Sequence, residues 1–222
     1  MKLNKYFNTT TILLIVVLVY VGLIKFVDVA AIGPEETKVG FSTINSYFSN
    51  LFGYNDFCYQ FTKYLGVLPF LLVAFYGFLG IKQFIERKDL LKVDKQLIAL
   101  GIFYFLVAAT YIFFEKVIIN YRPVLLDGIL EASFPSSHTM LAICVCVSSM
   151  LISDEYIKND KLNDCLTIIT GTVMVLLIVG RTISGVHWMT DIVGGILVSS
   201  FLLSLFCTSV KKKSKKRKLF HL

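Results

Sequence analysis

The chain has 222 residues, of which 56% are hydrophobic and only 17% charged, whereas a soluble domain carries about 25% charged residues. Its formal net charge of +7 does not mark a nucleic-acid binder, because seven of the 22 basic residues lie in the tail Lys211–Lys218 and leave 15 against 15 acids elsewhere. The body, residues 1–210, is neutral and of single-domain length, and the basicity belongs to the tail, 211–222.

An apolar run of about 18 or more residues reads as a membrane span. Thr11–Ile24, continuing past Lys25 to Val27, is the first. A basic start and small residues after it also fit a signal peptide, but the run is longer than a usual signal core, and a span is expected. Next, Phe41, Ile44, Tyr47, Phe48, Leu51 and Phe52 recur at helical spacing, which predicts a short amphipathic helix at the membrane interface. Packing is its expected role, and roofing a lipid entrance is the sharper alternative. Tyr64–Ile81 is the second span; its Pro69 is tolerable where neighbours satisfy the freed carbonyl. Leu97–Phe114 is the third and Ile192–Val210 the last. Between them, Thr139–Ile152 and Leu166–Gly180 are short, and reach spanning length only if polar residues at one end enter the membrane. The expected fold class is all-α: a polytopic membrane protein with six transmembrane helices in a bundle.

Placing the N-terminus inside gives the inner face 16 Lys and Arg residues and the outer face six, Lys25, Lys38, Lys63, Lys116, Arg122 and Arg181. Basic residues favour the cytoplasmic side, so both termini are expected in the cytoplasm of a multi-pass cell-membrane protein. The basic tail reads as a cytoplasmic anchor. Cys58, Cys144, Cys146, Cys165 and Cys207 form neither a CxxC nor a metal-ligand spacing, and read as small hydrophobes rather than a disulfide framework.

Three polar clusters interrupt the apolar chain. Lys116 to Pro123 (KVIINYRP) ends the third span; Phe134 to Thr139 (FPSSHT) starts the fourth; Arg181 to Asp191 (RTISGVHWMTD) bridges the fifth and sixth. The expected orientation puts all three on the outer face. Singly, each has an ordinary explanation: a basic residue at a helix end snorkels to headgroups, and Pro-Ser-Ser starts many helices. Jointly that explanation is weak. Two of the chain's three histidines fall here, and ionisable groups at membrane depth cost about 2.5–3.5 kcal/mol on insertion scales.

The chemistry these residues suit is phosphate binding. Lys116, Arg122 and Arg181 offset the charge of a phosphate monoester, and arginine forks match its oxygens. The serines after Pro135 place free backbone N–H groups of a helix start near an anion. His187 and Asp191 are four apart and share a face if the last helix starts there, so that the carboxylate holds one ring nitrogen while the other faces phosphorus. His138 is then free to protonate a departing alkoxide.

These clusters resemble the signature of the type 2 phosphatidic acid phosphatase family, which also includes vanadium haloperoxidases. That signature reads K-x6-R-P, P-S-G-H and S-R-x5-H-x3-D. The third motif matches in spacing, with Gly180 where serine is usual; the second has Ser137 in place of glycine; the first is one residue short, with five residues between Lys116 and Arg122. The resemblance spans Lys116 to Asp191. It implies His187 as a nucleophile forming a phosphohistidine, Asp191 fixing its tautomer, and His138 as the general acid that later activates water. It implies Lys116, Arg122, Ser136, Ser137 and Arg181 as phosphate ligands, with neither metal nor cofactor. The implied activity is hydrolysis of a terminal lipid phosphate at the outer membrane face, on a phospholipid or a polyprenyl (di)phosphate. The expected partners are that lipid and the bilayer, with no nucleic acid and no obligate protein partner.

Three other functions fit parts of the pattern. A lipid phosphotransferase would resolve the same phosphohistidine with an alcohol, and a non-catalytic lipid-binding protein would tolerate loss of His187. A metal-dependent phosphatase would use Asp127 and Glu131, paired on a helix face.

Overall fold

The computed structural model describes residues 2–210; the basic tail lies outside the described residues. Eight helices follow in order: α1 (Lys2–Phe26), α2 (Ser42–Phe52), α3 (Asp56–Leu65), α4 (Val67–Arg87), α5 (Lys95–Lys116), α6 (Ser137–Tyr156), α7 (Asp160–Ile183) and α8 (Met189–Ser209). A two-residue antiparallel pair, β1 (Ala30–Ala31) and β2 (Lys38–Val39), closes the loop after α1. Six segments are long and apolar enough to cross a membrane, with α3 and α4 forming one of them. The two short apolar runs become full helices by extending at both ends, α6 taking in His138 at its start and residues 153–156 at its end, and α7 taking in residues 160–165 at its start and Arg181 near its end. The expected six-helix all-α bundle is thus the observed architecture.

Pro69 explains the break between α3 and α4. Its ring excludes the hydrogen bond a helix would make to the carbonyl four residues back, Leu65, and α3 ends there, with Gly66 between the two helices. Within α4, Pro69 is the third residue, where a helix has no intrahelical N–H bond to lose. The proline therefore marks a helix start and needs no help from neighbours.

The central helix is α6, whose Met140, Ala142, Cys144, Val145 and Cys146 are all buried. Around it the core joins Val17 of α1, Tyr76 of α4, Leu100 and Phe103 of α5, and Val198, Leu202 and Phe206 of α8. Polar contacts tie the same helices together, as expected where water cannot compete: Ser148 Oγ donates to Tyr104 Oη at 3.3 Å and Tyr76 Oη to the Ser149 carbonyl at 3.2 Å. The outward faces carry exposed Leu18, Phe70, Phe105 and Ile168, far more apolar surface than a water-soluble monomer presents.

The amphipathic segment forms α2, with an inverted arrangement. Its polar Ser42 and Asn45 are buried while Ile44, Tyr47 and Leu51 are exposed. Asn45 fastens it to the start of α8, donating to Thr190 Oγ1 at 3.0 Å and accepting from the Thr190 N–H at 3.2 Å. Burial of those polar groups is offset because they are hydrogen-bonded, and the apolar stripe is left facing outward.

Candidate active site

The ends of α5 and α7 and the starts of α6 and α8 meet at one end of the bundle. A hairpin-like loop connects α5 to α6. The Ser133 N–H donates to the Asn120 carbonyl at 2.9 Å, the Arg122 N–H to the Glu131 carbonyl at 3.1 Å, and the Ile129 N–H to the Leu126 carbonyl at 2.9 Å. Asp127 and Gly128 make the turn with φ of 51° and 74°, the pair of positive values that Asp-Gly tolerates best. Asp127 and Glu131 therefore do not share a helix face, as the metal-dependent alternative would need; Glu131 instead forms an ion pair with Arg122, Oε2 to Nε at 2.9 Å. The loop brings Asn120, Arg122 and Ser133 to the residues between α7 and α8.

That second connection turns at Gly185, with φ of 67°, where an added Cβ would lie 1.8 Å from the Gly53 carbonyl oxygen. His187 follows, then Trp188 caps α8, and Asp191 is the third residue of the helix. The expected shared helix face fails for this reason: His187 precedes the helix. Asp191 turns back to the helix start, accepting from the Trp188 N–H at 3.0 Å through Oδ2. Its Oδ1 accepts from Asn120 Nδ2 at 3.1 Å and its Oδ2 also from Ser133 Oγ at 2.5 Å. Ser133 Oγ lies 3.0 Å from His187 Nδ1. Ser133, through its hydroxyl and its backbone, rather than the carboxylate, stands beside the ring.

The other ring nitrogen, Nε2, lies 3.3 Å from Arg122 Nη1, which also donates to the Val186 carbonyl at 3.3 Å. A guanidinium only donates, so Nε2 presents its lone pair. Burial first, then the positive charges of Arg122 and Arg181 and the proximity of His138, hold His187 well below the ordinary imidazole range. The ring is neutral and Nε2 is available as a nucleophile.

Beside it opens a cleft of about 280 Å³, counting its mouth, with Glu115, Arg122, Ser133, Ser137 and His187 among its lining. Several buried polar atoms at this end of the bundle make no hydrogen bond: Nε of Arg122, Ser136 Oγ, His138 Nδ1, Thr139 Oγ1, and Nε and Nη2 of Arg181. Arg181 is only 1% exposed, its guanidinium stacked over the Tyr59 ring at 5.1 Å. Buried donors without partners are costly, and a charged one more so; an anion would satisfy them. Gly180 belongs to the same packing: a Cβ there would meet Thr62 Cγ2 at 2.4 Å, so the serine of the family pattern would require the Thr62 side chain to shift.

Of the sequence-predicted residues, His187, Asp191, Arg122, Ser137, His138, Arg181 and Ser136 gather at this end of the bundle. Ser136 N–H donates to the Asp191 carbonyl at 3.0 Å. Lys116 does not join them; it is exposed at the last residue of α5, and its neighbour Glu115 lines the cleft instead. The one-residue shortening of the first motif rotates the lysine by about 100° around the helix. Asn120, Ser133 and Tyr59 escaped the sequence reading, since only the hairpin and α3 bring them to the site. The Asp-Gly turn was the available clue to the hairpin.

The fold is similar to that of a transmembrane PAP2-type phosphatidylglycerolphosphate phosphatase from Bacillus subtilis, with a TM-score of 0.56, 21% identity, and coverage of 90% of this chain and 94% of that one. No curated protein sequence matches the chain significantly. Residues 96–215, more than half of the chain and including every motif residue described above, match the PAP2 superfamily, and the chain belongs to that superfamily.

Proposed function

We propose that this protein is an integral membrane phosphatase that hydrolyses the terminal phosphate of a phospholipid or polyprenyl (di)phosphate. The observation that carries the reading is the pairing of a neutral, lone-pair-bearing His187 Nε2 with a buried Arg181 whose Nε and Nη2 have no partner. Phosphate oxygens would occupy those donors, together with Arg122 and the first-turn N–H groups of α6.

In the reaction, the Nε2 lone pair forms a bond to phosphorus as the bond from phosphorus to the lipid oxygen breaks. His138 gives its proton to that oxygen. A water molecule then attacks the phosphohistidine, loses its proton to His138, and the N–P electron pair returns to Nε2. Protein cations neutralise the developing charge, so neither metal nor cofactor is required. The excess of basic residues at the opposite end supports an outward-facing site and cytoplasmic termini.

A lipid substrate fits because the site lies at the ends of spans. Each acyl methylene kept in hydrocarbon avoids about 0.8 kcal/mol of exposure. The test compares catalytic efficiency in detergent micelles for phosphatidylglycerol phosphate, phosphatidic acid, a polyprenyl diphosphate, a short-chain analogue and glycerol phosphate. At least one long-chain lipid should exceed glycerol phosphate by more than about 100-fold. Equal turnover of glycerol phosphate would overturn the lipid assignment.

A further inference from the structure

Three side chains around His187 favour one arrangement of protons, and the Ser133 backbone, also hydrogen-bonded to the ring, accepts from the same nitrogen. Arg122 Nη1, a donor, faces Nε2 at 3.3 Å, so Nε2 carries no proton and Nδ1 must carry it. Asp191 Oδ2, an acceptor surrounded by donors, lies 2.5 Å from Ser133 Oγ, so the serine's single proton points to the carboxylate. The serine oxygen is then left with lone pairs only, and it sits 3.0 Å from His187 Nδ1. Two independent constraints, one from each end, agree on the chain Nδ1–H to Oγ and Oγ–H to Oδ2. All three side chains are buried, with Asp191 and Ser133 at 0% and 2% exposure and His187 at 6%, so water does not compete for these bonds.

We infer that Ser133 is the positioning residue of His187, a hydroxyl bridge through which Asp191 sets the imidazole tautomer and stabilises the phosphorylated ring. Asp191 acts at one remove because it is committed to the start of α8, where Oδ2 accepts from the Trp188 N–H and Oδ1 from Asn120. The hairpin supplies Ser133 in the gap left by a histidine that precedes the helix. When Nε2 bonds to phosphorus its lone pair is used and the ring becomes cationic. The proton on Nδ1 remains in place, and its bond to Oγ strengthens, as does that from Oγ to the carboxylate, since charge-assisted hydrogen bonds are the stronger kind. No proton need cross the bridge.

The inference rests on His187 being the nucleophile, and the test separates the two. Turnover of a lipid phosphate is measured for the wild type, Ser133→Ala, Ser133→Cys, Asp191→Asn, the double variant Ser133→Ala/Asp191→Asn, and His187→Ala. Orthovanadate-induced thermal stabilisation in detergent reports that each variant is folded with its anion site intact. Ser133→Ala should lower kcat by on the order of 100-fold with KM changed by less than about threefold. Ser133→Cys, which keeps the shape and a weak donor, should fall between Ala and the wild type. Asp191→Asn should lose activity as well, and the double variant should be no worse than the poorer single one, because a bridge broken at either bond is fully broken. If Ser133→Ala retained wild-type kcat, or if the two losses multiplied in the double variant, the bridge would be refuted while the phosphatase reading stood. An unchanged His187→Ala would refute that reading itself. Should Ser133→Ala not fold, the Cys variant and its cycle with Asp191→Asn decide by the same criteria.

Discussion

Arg122 Nη1 stands 3.3 Å from His187 Nε2, so a guanidinium caps the nitrogen to which the proposed reaction assigns the attack on phosphorus. Glu131 forms an ion pair with the guanidinium beside Nε, and the Val186 carbonyl accepts from Nη1. On the proposed reading, the resting site presents a phosphate ligand and the nucleophile as one unit, with the guanidinium already placed against the ring. A planar fork can satisfy these contacts together, whereas an ammonium has one compact centre. Arg122→Lys should accordingly lower kcat/KM by on the order of 100-fold despite keeping the charge. Glu131→Gln should change it by less than about fivefold, since the glutamate is 44% exposed and such pairs contribute little. A larger effect of Glu131→Gln than of Arg122→Lys would contradict this division of labour.

Lys116→Ala should leave kcat/KM within about threefold of the wild type, as surface substitutions away from a site usually do. Arg181→Ala should reduce it by more than about 100-fold by removing buried donors from the anion site. The contrast separates a lysine at an exposed helix end from an arginine enclosed against Tyr59. A Lys116→Ala defect as severe as that of Arg181→Ala would show that the lysine reaches the phosphate.

His138→Ala should depend on the leaving group. A lipid alkoxide needs a proton as it departs, whereas an activated aryl phenolate needs little. The loss on a lipid phosphate should exceed that on an aryl phosphate by at least about tenfold. Equal losses on the two substrates would remove His138 from the general-acid role.

Activity should persist in EDTA and be inhibited by vanadate, whose trigonal-bipyramidal geometry resembles the transition state of phosphoryl transfer. A chelator-sensitive activity restored by magnesium would assign the charge stabilisation to a metal rather than to Arg122 and Arg181.

Stability should fall on acidification. His187 is buried and held neutral, its affinity for a proton depressed by burial and by the nearby arginines. Above about pH 6.5, the folded and unfolded chains both carry a neutral imidazole here, and this contribution is complete. Below that pH the unfolded chain takes up a proton that the folded site refuses, so stability is lost as pH falls, by up to about 1.4 kcal/mol per pH unit for one proton. Thermal unfolding in detergent between pH 7.5 and 5 should show a shallower decline for His187→Gln than for the wild type. Identical slopes would mean that His187 is protonated in the folded protein.

The six-helix architecture was legible because bilayer thickness imposes run length on each apolar segment, and two-state loop counting follows from it. The short runs beside His138 and Arg181 marked where the helices take in polar residues, although α6 and α7 extend by more residues at their far ends. His187, His138, Arg122 and Arg181 stood out as ionisable groups an apolar chain does not keep without cause. What escaped was every contact that depends on where chain segments cross. Whether His187 lies on α8 or before it turns on a single residue at the helix start, and the Trp188 cap decides it. The rotation of Lys116 away and Glu115 toward the cleft depends on the phase of α5 at its last turn. Ser133 and Asn120 are ordinary residues of a loop, and they acquire roles only because an Asp-Gly turn folds residues 120 and 133 together over Asp191. Hydrophobic periodicity and charge cost are local properties that a sequence carries openly. Hydrogen-bond partners 58 or 71 residues apart are set by packing, and only the tertiary structure decided that a serine stands between the aspartate and the histidine.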